Sequence, residues 1–178
     1  WASLGASDTL VANGKSSITI NVSTTCSLLT TAATGGTAGG GFILASGVTL
    51  TASVTAGTST CVTFSSSGTA SIVGNITATT SGFTSGLAVT GTGTLTITGN
   101  ITGGSGNGNQ YAHGIRMTAA GVLNVTGNVV GSAYLGIYAS TGTVNVTGSV
   151  TGGSGGNVSG EGQSSYVYAS GIGIAGAC

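Results

Sequence analysis

The sequence predicts an all-β fold, a β-helix (β-solenoid) of about five to six coils with variable loops along one edge. Three observations predict it. A ten-residue motif recurs along the chain, a shorter strand motif precedes it at a nearly constant distance, and all variation in length falls at one place between them.

The ten-residue motif is clearest from Gly93 to Thr102, with near-copies from Gly121 to Val130 and from Gly142 to Thr151. An earlier copy runs from Gly68 to Thr77, and a worn one from Ser46 to Thr55. The second apolar residues of the copies, Leu50, Ile72, Ile97, Val125 and Val146, are 22, 25, 28 and 21 residues apart. Apolar and polar residues alternate with period two, the pattern of a strand with one buried face. In a solenoid these five residues stack as one core column, and coils spaced by about 4.8 Å make a rod of roughly 25 to 30 Å.

The shorter motif reads Val62-Thr63-Phe64, Leu87-Ala88-Val89, Ile115-Arg116-Met117, Ile137-Tyr138-Ala139 and Ile172-Gly173-Ile174. Val62 to Ile72, Leu87 to Ile97 and Ile115 to Val125 span 10 residues each, and Ile137 to Val146 spans 9. A Ser/Thr/Ala segment ending in Gly68, Gly93, Gly121 or Gly142 joins the two strands, which predicts a corner that uses glycine at positive φ. A second corner follows at Gly74-Asn75, Gly99-Asn100, Gly127-Asn128 and Gly148-Ser149. Asn tolerates the left-handed conformation, and repeated once per coil it predicts an amide ladder. A short third strand then begins at Ile76, Ile101, Val129 and Val150.

Residues 1–45 read as an N-terminal segment with an irregular first coil and a candidate assembly contact, and residues 46–178 as the solenoid repeats. Ile18 to Val22 alternates and predicts the first strand, whereas Thr30 to Gly41 is Gly/Thr/Ala-rich and predicts a surface loop. The chain starts at Trp1 without an initiator Met or signal segment, as a processed chain or fragment would. It stops four residues after Ile174, when its last coil has received only its first strand. That predicts an open end, covered by further polypeptide or by another copy.

The distances from Ile72 to Leu87, Ile97 to Ile115, Val125 to Ile137 and Val146 to Ile172 are 15, 18, 12 and 26 residues. The loops Gly103 to His113 and Gly152 to Ser170 therefore fall along a single edge, the predicted binding face. Tyr111, His113, Tyr134, Tyr138, Glu161, Tyr166 and Tyr168 lie in or beside it. Aromatic rings among hydroxyl-rich loops suit a sugar face or a protein partner, and they equally suit packing of loop on coil.

Only Asp8, Lys15, Arg116 and Glu161 carry formal charge, and the net charge is zero. Without a basic stripe there is no footprint for nucleic acid or anionic lipid, and no apolar run is long enough to span a bilayer. Glycine numbers 36 and proline none, with the glycines at fixed repeat positions, which argues against disorder. Glycosidases place two carboxyl groups roughly 5 to 9.5 Å apart, and Asp8 and Glu161 are about five coils apart, so no catalytic pair is expected. No metal site and no cofactor is expected either, since Cys26, Cys61 and His113 lack ligand spacing. In an oxidising compartment Cys178 is a candidate to link to Cys26 or Cys61 of a neighbour, with a Cys26–Cys61 bridge as the rival pairing and buried thiols as the third option. Outward columns such as Thr51, Val73, Thr98, Thr126 and Thr147 resemble an ice-binding array, interrupted by Val and, in the neighbouring column, by Asn124 and Asn145. Of six Asn-x-Ser/Thr sequons, at Asn21, Asn75, Asn100, Asn124, Asn145 and Asn157, four arise from the repeat itself and only Asn157 reads as a free glycan acceptor.

The phrases LTITGNITGGSG, LNVTGNV and VNVTGSVTGGSGG, with HGIRM, LGIYA and SGIGI, resemble the Gly/Thr/Asn-rich repeats of phage virion proteins and bacterial surface or autotransporter-type adhesins. The resemblance covers residues 60–178 and implies an extracellular or virion-surface location with a structural or adhesive role; it assigns no catalytic residue. The expectation is a non-enzymatic subunit of a fibre or virion appendage whose partner is itself, end to end. A glycan-binding adhesin that meets glycans on a host surface is the alternative, ahead of a tailspike-type depolymerase or an ice-binding protein.

Overall fold

The computed structural model describes residues 6–13, 18–32, 41–56, 60–78, 85–104, 112–153 and 172–174. Among them there is no helix. The strands are β1 (Thr9–Asn13), β2 (Ile18–Ile20), β3 (Thr24–Ala32), β4 (Phe42–Leu44), β5 (Thr49–Ala56), β6 (Thr60–Phe64), β7 (Thr69–Val73), β8 (Ile76–Ala78) and β9 (Ser85–Val89). They continue as β10 (Thr94–Thr98), β11 (Ile101–Thr102), β12 (Ile115–Met117), β13 (Val122–Thr126), β14 (Val129–Val130), β15 (Ile137–Ala139), β16 (Thr143–Thr147), β17 (Val150–Thr151) and β18 (Ile172–Ile174). All pairings are parallel and join each strand to its counterpart one coil away, which makes the molecule a β-solenoid.

Register follows the repeat. Leu50, Ile72, Ile97, Val125 and Val146 pair one above another, so the predicted core column exists. The first-strand column runs Ile18, Phe42, Val62, Leu87, Ile115, Ile137 and Ile172. The third-strand column runs Val54, Ile76, Ile101, Val129 and Val150. A one-residue slip would turn every apolar side chain outward, which is why the alternation specifies register so firmly. Ile72, Ile97, Ile101 and Ile115 are fully buried, each contributing about 1.5–3 kcal/mol of burial free energy.

Four successive turns share the three-strand plan, β6–β8, β9–β11, β12–β14 and β15–β17. The regular solenoid thus has about four turns, fewer than the five to six expected. The reason lies at the corner: β5 has Ala52-Ser53 where the later copies have a glycine corner, so it runs straight and pairs with both β7 and β8. Strand β3 was not foreseen, and it claims Thr30 to Ala32 from the expected loop. Its alternation is broken by a register shift between Thr25 and Leu28, which hides the period-two signal.

The corner glycines are required twice over. Gly74, Gly99, Gly127 and Gly148 have φ of 145°, 150°, 147° and 148°, and a Cβ at Gly99 would lie 2.1 Å from the Gly74 carbonyl oxygen one coil below. At the other corner the expectation of positive φ holds only for Gly142, at 87°. Gly93 is needed there for close approach instead, since its Cβ would meet the Gly68 carbonyl oxygen at 2.0 Å.

The Asn column forms a ladder of a different kind from the one expected. The Asn100 N–H donates to Asn75 Oδ1 (2.9 Å), the Asn128 N–H to Asn100 Oδ1 (2.9 Å) and the Ser149 N–H to Asn128 Oδ1 (3.0 Å). Each side chain thereby satisfies a backbone donor at the bend above it, where strand pairing is interrupted. An amide-to-amide rung occurs instead on the outer face of the second strand, where Asn145 Nδ2 donates to Asn124 Oδ1 (2.9 Å).

Candidate functional site

Each variable segment leaves the stack after a third strand and returns at a first strand. The third strands are in register at Thr77, Thr102, Val130 and Thr151, and the first strands at Leu87, Ile115, Ile137 and Ile172. The segments therefore depart from and rejoin one edge of the backbone.

At that edge the residue before each first strand is also held in the stack. The Gly86 N–H donates to the His113 carbonyl (3.1 Å), and the Gly114 N–H donates to that of Leu135 (3.1 Å). This locks the backbone around His113, which is 4% exposed. Tyr138, outward on β15, stacks on its ring with centroids 5.3 Å apart and planes 13° from parallel. Tyr134 meets the same ring edge-on at 6.2 Å. Such pairs contribute about 0.5–1.5 kcal/mol beyond their burial.

Arg116 joins the group from the outward position of β12, in register between Ala88 below and Tyr138 above. Burial pushes the His113 imidazole down to about 4, and the Arg116 charge pushes in the same direction. The imidazole is therefore neutral at physiological pH and serves as a flat ring under Tyr138, half-buried above it.

Of the predicted edge residues, the fold brings His113, Tyr134 and Tyr138 together. Tyr111, Glu161, Tyr166 and Tyr168 lie outside the described residues, as do most of both long loops and Asn157. The expected edge set omitted Arg116, although its outward position in the period-two strand beside His113 marked it. No group of three His, Cys, Asp or Glu side chains comes together among the described residues to hold a metal ion.

Of the cysteine options, the rival Cys26–Cys61 bridge is not formed. Both are buried free thiols. Cys26 belongs to the β2–β3 layer and Cys61 to the β6–β8 turn, with the β4–β5 layer between them. Two coil steps amount to roughly 10 Å, beyond the Cα separation of about 4.4–6.8 Å that a disulfide spans. The Cys61 thiol instead lies against the carbonyls of Val54 (3.8 Å) and Thr77 (3.7 Å). Burial pushes it up to about 12, so it stays protonated and unreactive. Burial and then the Asp8 charge raise Cys26 as well. Cys178 lies outside the described residues.

The outward columns do stack, Thr49, Ser71, Thr96, Asn124 and Asn145 in one and Thr51, Val73, Thr98, Thr126 and Thr147 in the next. Val73, 44% exposed, interrupts the second, and within the first Ser71 Oγ donates to Thr49 Oγ1 of the neighbouring layer (3.0 Å). Comparison with protein-family models, curated proteins and solved structures finds no match to this chain.

Proposed function

We propose that the chain is a non-enzymatic structural subunit of an extracellular fibre or phage virion appendage that associates with itself end to end. One observation carries this reading. Strands β16 and β17 stand at the two ends of their sheet order, and the inward residues Val144, Val146 and Val150 are partly exposed. One turn below, their counterparts Leu123, Val125 and Val129 are buried. Among the described residues no strand pairs above β16 or β17, and a strand edge over a partly exposed apolar layer is a template for another strand layer.

Composition supports the same reading, because four formal charges in 178 residues leave little to keep copies apart. In this reading each subunit adds six layers to the fibre, the four regular turns and the irregular β2–β3 and β4–β5 layers beneath them. Sedimentation velocity and electron microscopy of the purified chain test it. Filaments or concentration-dependent oligomers are expected, and a monomer at every concentration would end the proposal.

The half-buried Tyr138 ring on His113 beside Arg116 favours a second reading, a glycan-binding surface adhesin. Saturable binding to a glycan array is the measurement that separates it from a purely structural role.

A further inference from the structure

We propose that the contact between copies is polar, with β17 of one copy pairing in parallel with β1 of the next. The inference rests on the end-to-end reading above and names the two surfaces that meet.

Strand direction carries it first. Every strand pair in both sheets is parallel, so the upper and lower ends of the stack are different surfaces. Joining upper to lower repeats the ladder that already runs through the molecule. Joining upper to upper would set strands antiparallel, with a hydrogen-bond pattern found nowhere among the described pairings.

The column through β17 carries it further. In register from bottom to top it holds positions Leu10, Leu29, Val54, Ile76, Ile101, Val129 and Val150, an aliphatic residue at every level. Placing the next copy's Leu10 position over Val150 continues that column by one step of the same chemistry. The neighbouring outward column ends in Thr151 above and Val11 below, both exposed.

Charge and apolar exposure agree. No charged residue occurs between Ile137 and Gly153, and Asp8 is the one formal charge among the described residues below β4. The lower layer also exposes Val22, at 50%, to set against the partly exposed valines above. A contact between unlike surfaces that never closes on itself generates an open filament.

Engineered cysteines test the polarity. In the proposed register Val11 of one copy lies beside Thr151 of another at strand spacing, about 4.8 Å, which suits a disulfide. Within one chain the two positions are six strand steps apart, roughly 29 Å, so they cannot bridge in the same copy. The full chain carrying Val11→Cys and Thr151→Cys, with Cys178→Ser to remove the remaining candidate thiol, is oxidised mildly and run on non-reducing gels. The expected result is a ladder of multimers that collapses to monomer on reduction, while each single variant runs as monomer. Dimers of the Thr151→Cys variant alone would mean that upper edges meet; the polarity is then wrong and end-to-end association stands. Filaments that cross-link in none of the variants would also overturn the polarity. Monomers by sedimentation throughout would overturn the end-to-end reading itself.

Discussion

His113 is the side chain whose chemistry the fold alters most visibly. At 4% exposure, with Tyr138 stacked on it and the Arg116 charge nearby, it gives up its proton at about 4 in the folded chain, against 6.5 unperturbed. Between those two values the unfolded chain binds more protons than the folded one, so stability rises with pH across the window. The contribution is fully present above 6.5 and is lost as pH falls towards 4, by on the order of 3 kcal/mol. Urea midpoints measured across the window should therefore fall with acidification. A His113→Phe variant, which keeps a ring under Tyr138, should show a flatter profile; an equally steep one would assign the acid sensitivity to another group.

At the scale of the element, the corner decides where one strand stops and the next begins. Gly99 and its stacked counterparts bring backbone onto backbone, and Asn75, Asn100 and Asn128 each accept the N–H of the coil above. Two glycines separate conformation from crowding. Gly47 has φ 76° and open space where a Cβ would stand, so Gly47→Ala should cost only the left-handed penalty, about 1–2 kcal/mol. Gly99→Ala adds a collision with the Gly74 carbonyl oxygen at 2.1 Å, so coils must separate, and a loss of about 3 kcal/mol or more is expected. Chemical denaturation of the two variants compares them directly. Equal losses would mean that the stacked glycines are there for φ alone.

For the whole molecule, the proposed association should follow the physics of apolar burial and backbone pairing, not of charge. With Asp8, Lys15, Arg116 and Glu161 as its formal charges, the chain has almost nothing for salt to screen. Sedimentation at low and high sodium chloride should give the same distribution of assemblies, and sulfate should shift it towards larger ones. Dissociation on adding sodium chloride would place the contact on ion pairs and away from the β16–β17 edge. In the proposed fibre, the parallel stack makes one end of each copy unlike the other, which gives the assembly a direction of growth.

Repetition in the chain was enough to predict the solenoid, the column Leu50, Ile72, Ile97, Val125 and Val146, and the edge where the loops leave, because period-two alternation and copy spacing are properties of each segment in order. It set His113, Tyr134 and Tyr138 in or beside the variable edge, but that both rings meet the His113 ring is a contact between non-equivalent positions of neighbouring coils, since Tyr138 is in register with Arg116. It could not count the regular turns, since Ser46 to Thr55 looks like a worn copy until Ala52-Ser53 is seen to run straight. Nor could it show that Asn side chains bond to backbone donors, that Gly93 serves close approach, or that Cys26 and Cys61 lie two coils apart as thiols. These outcomes depend on which atoms of one coil lie over which atoms of the next, a distance of about 4.8 Å in space that spans more than twenty residues of chain.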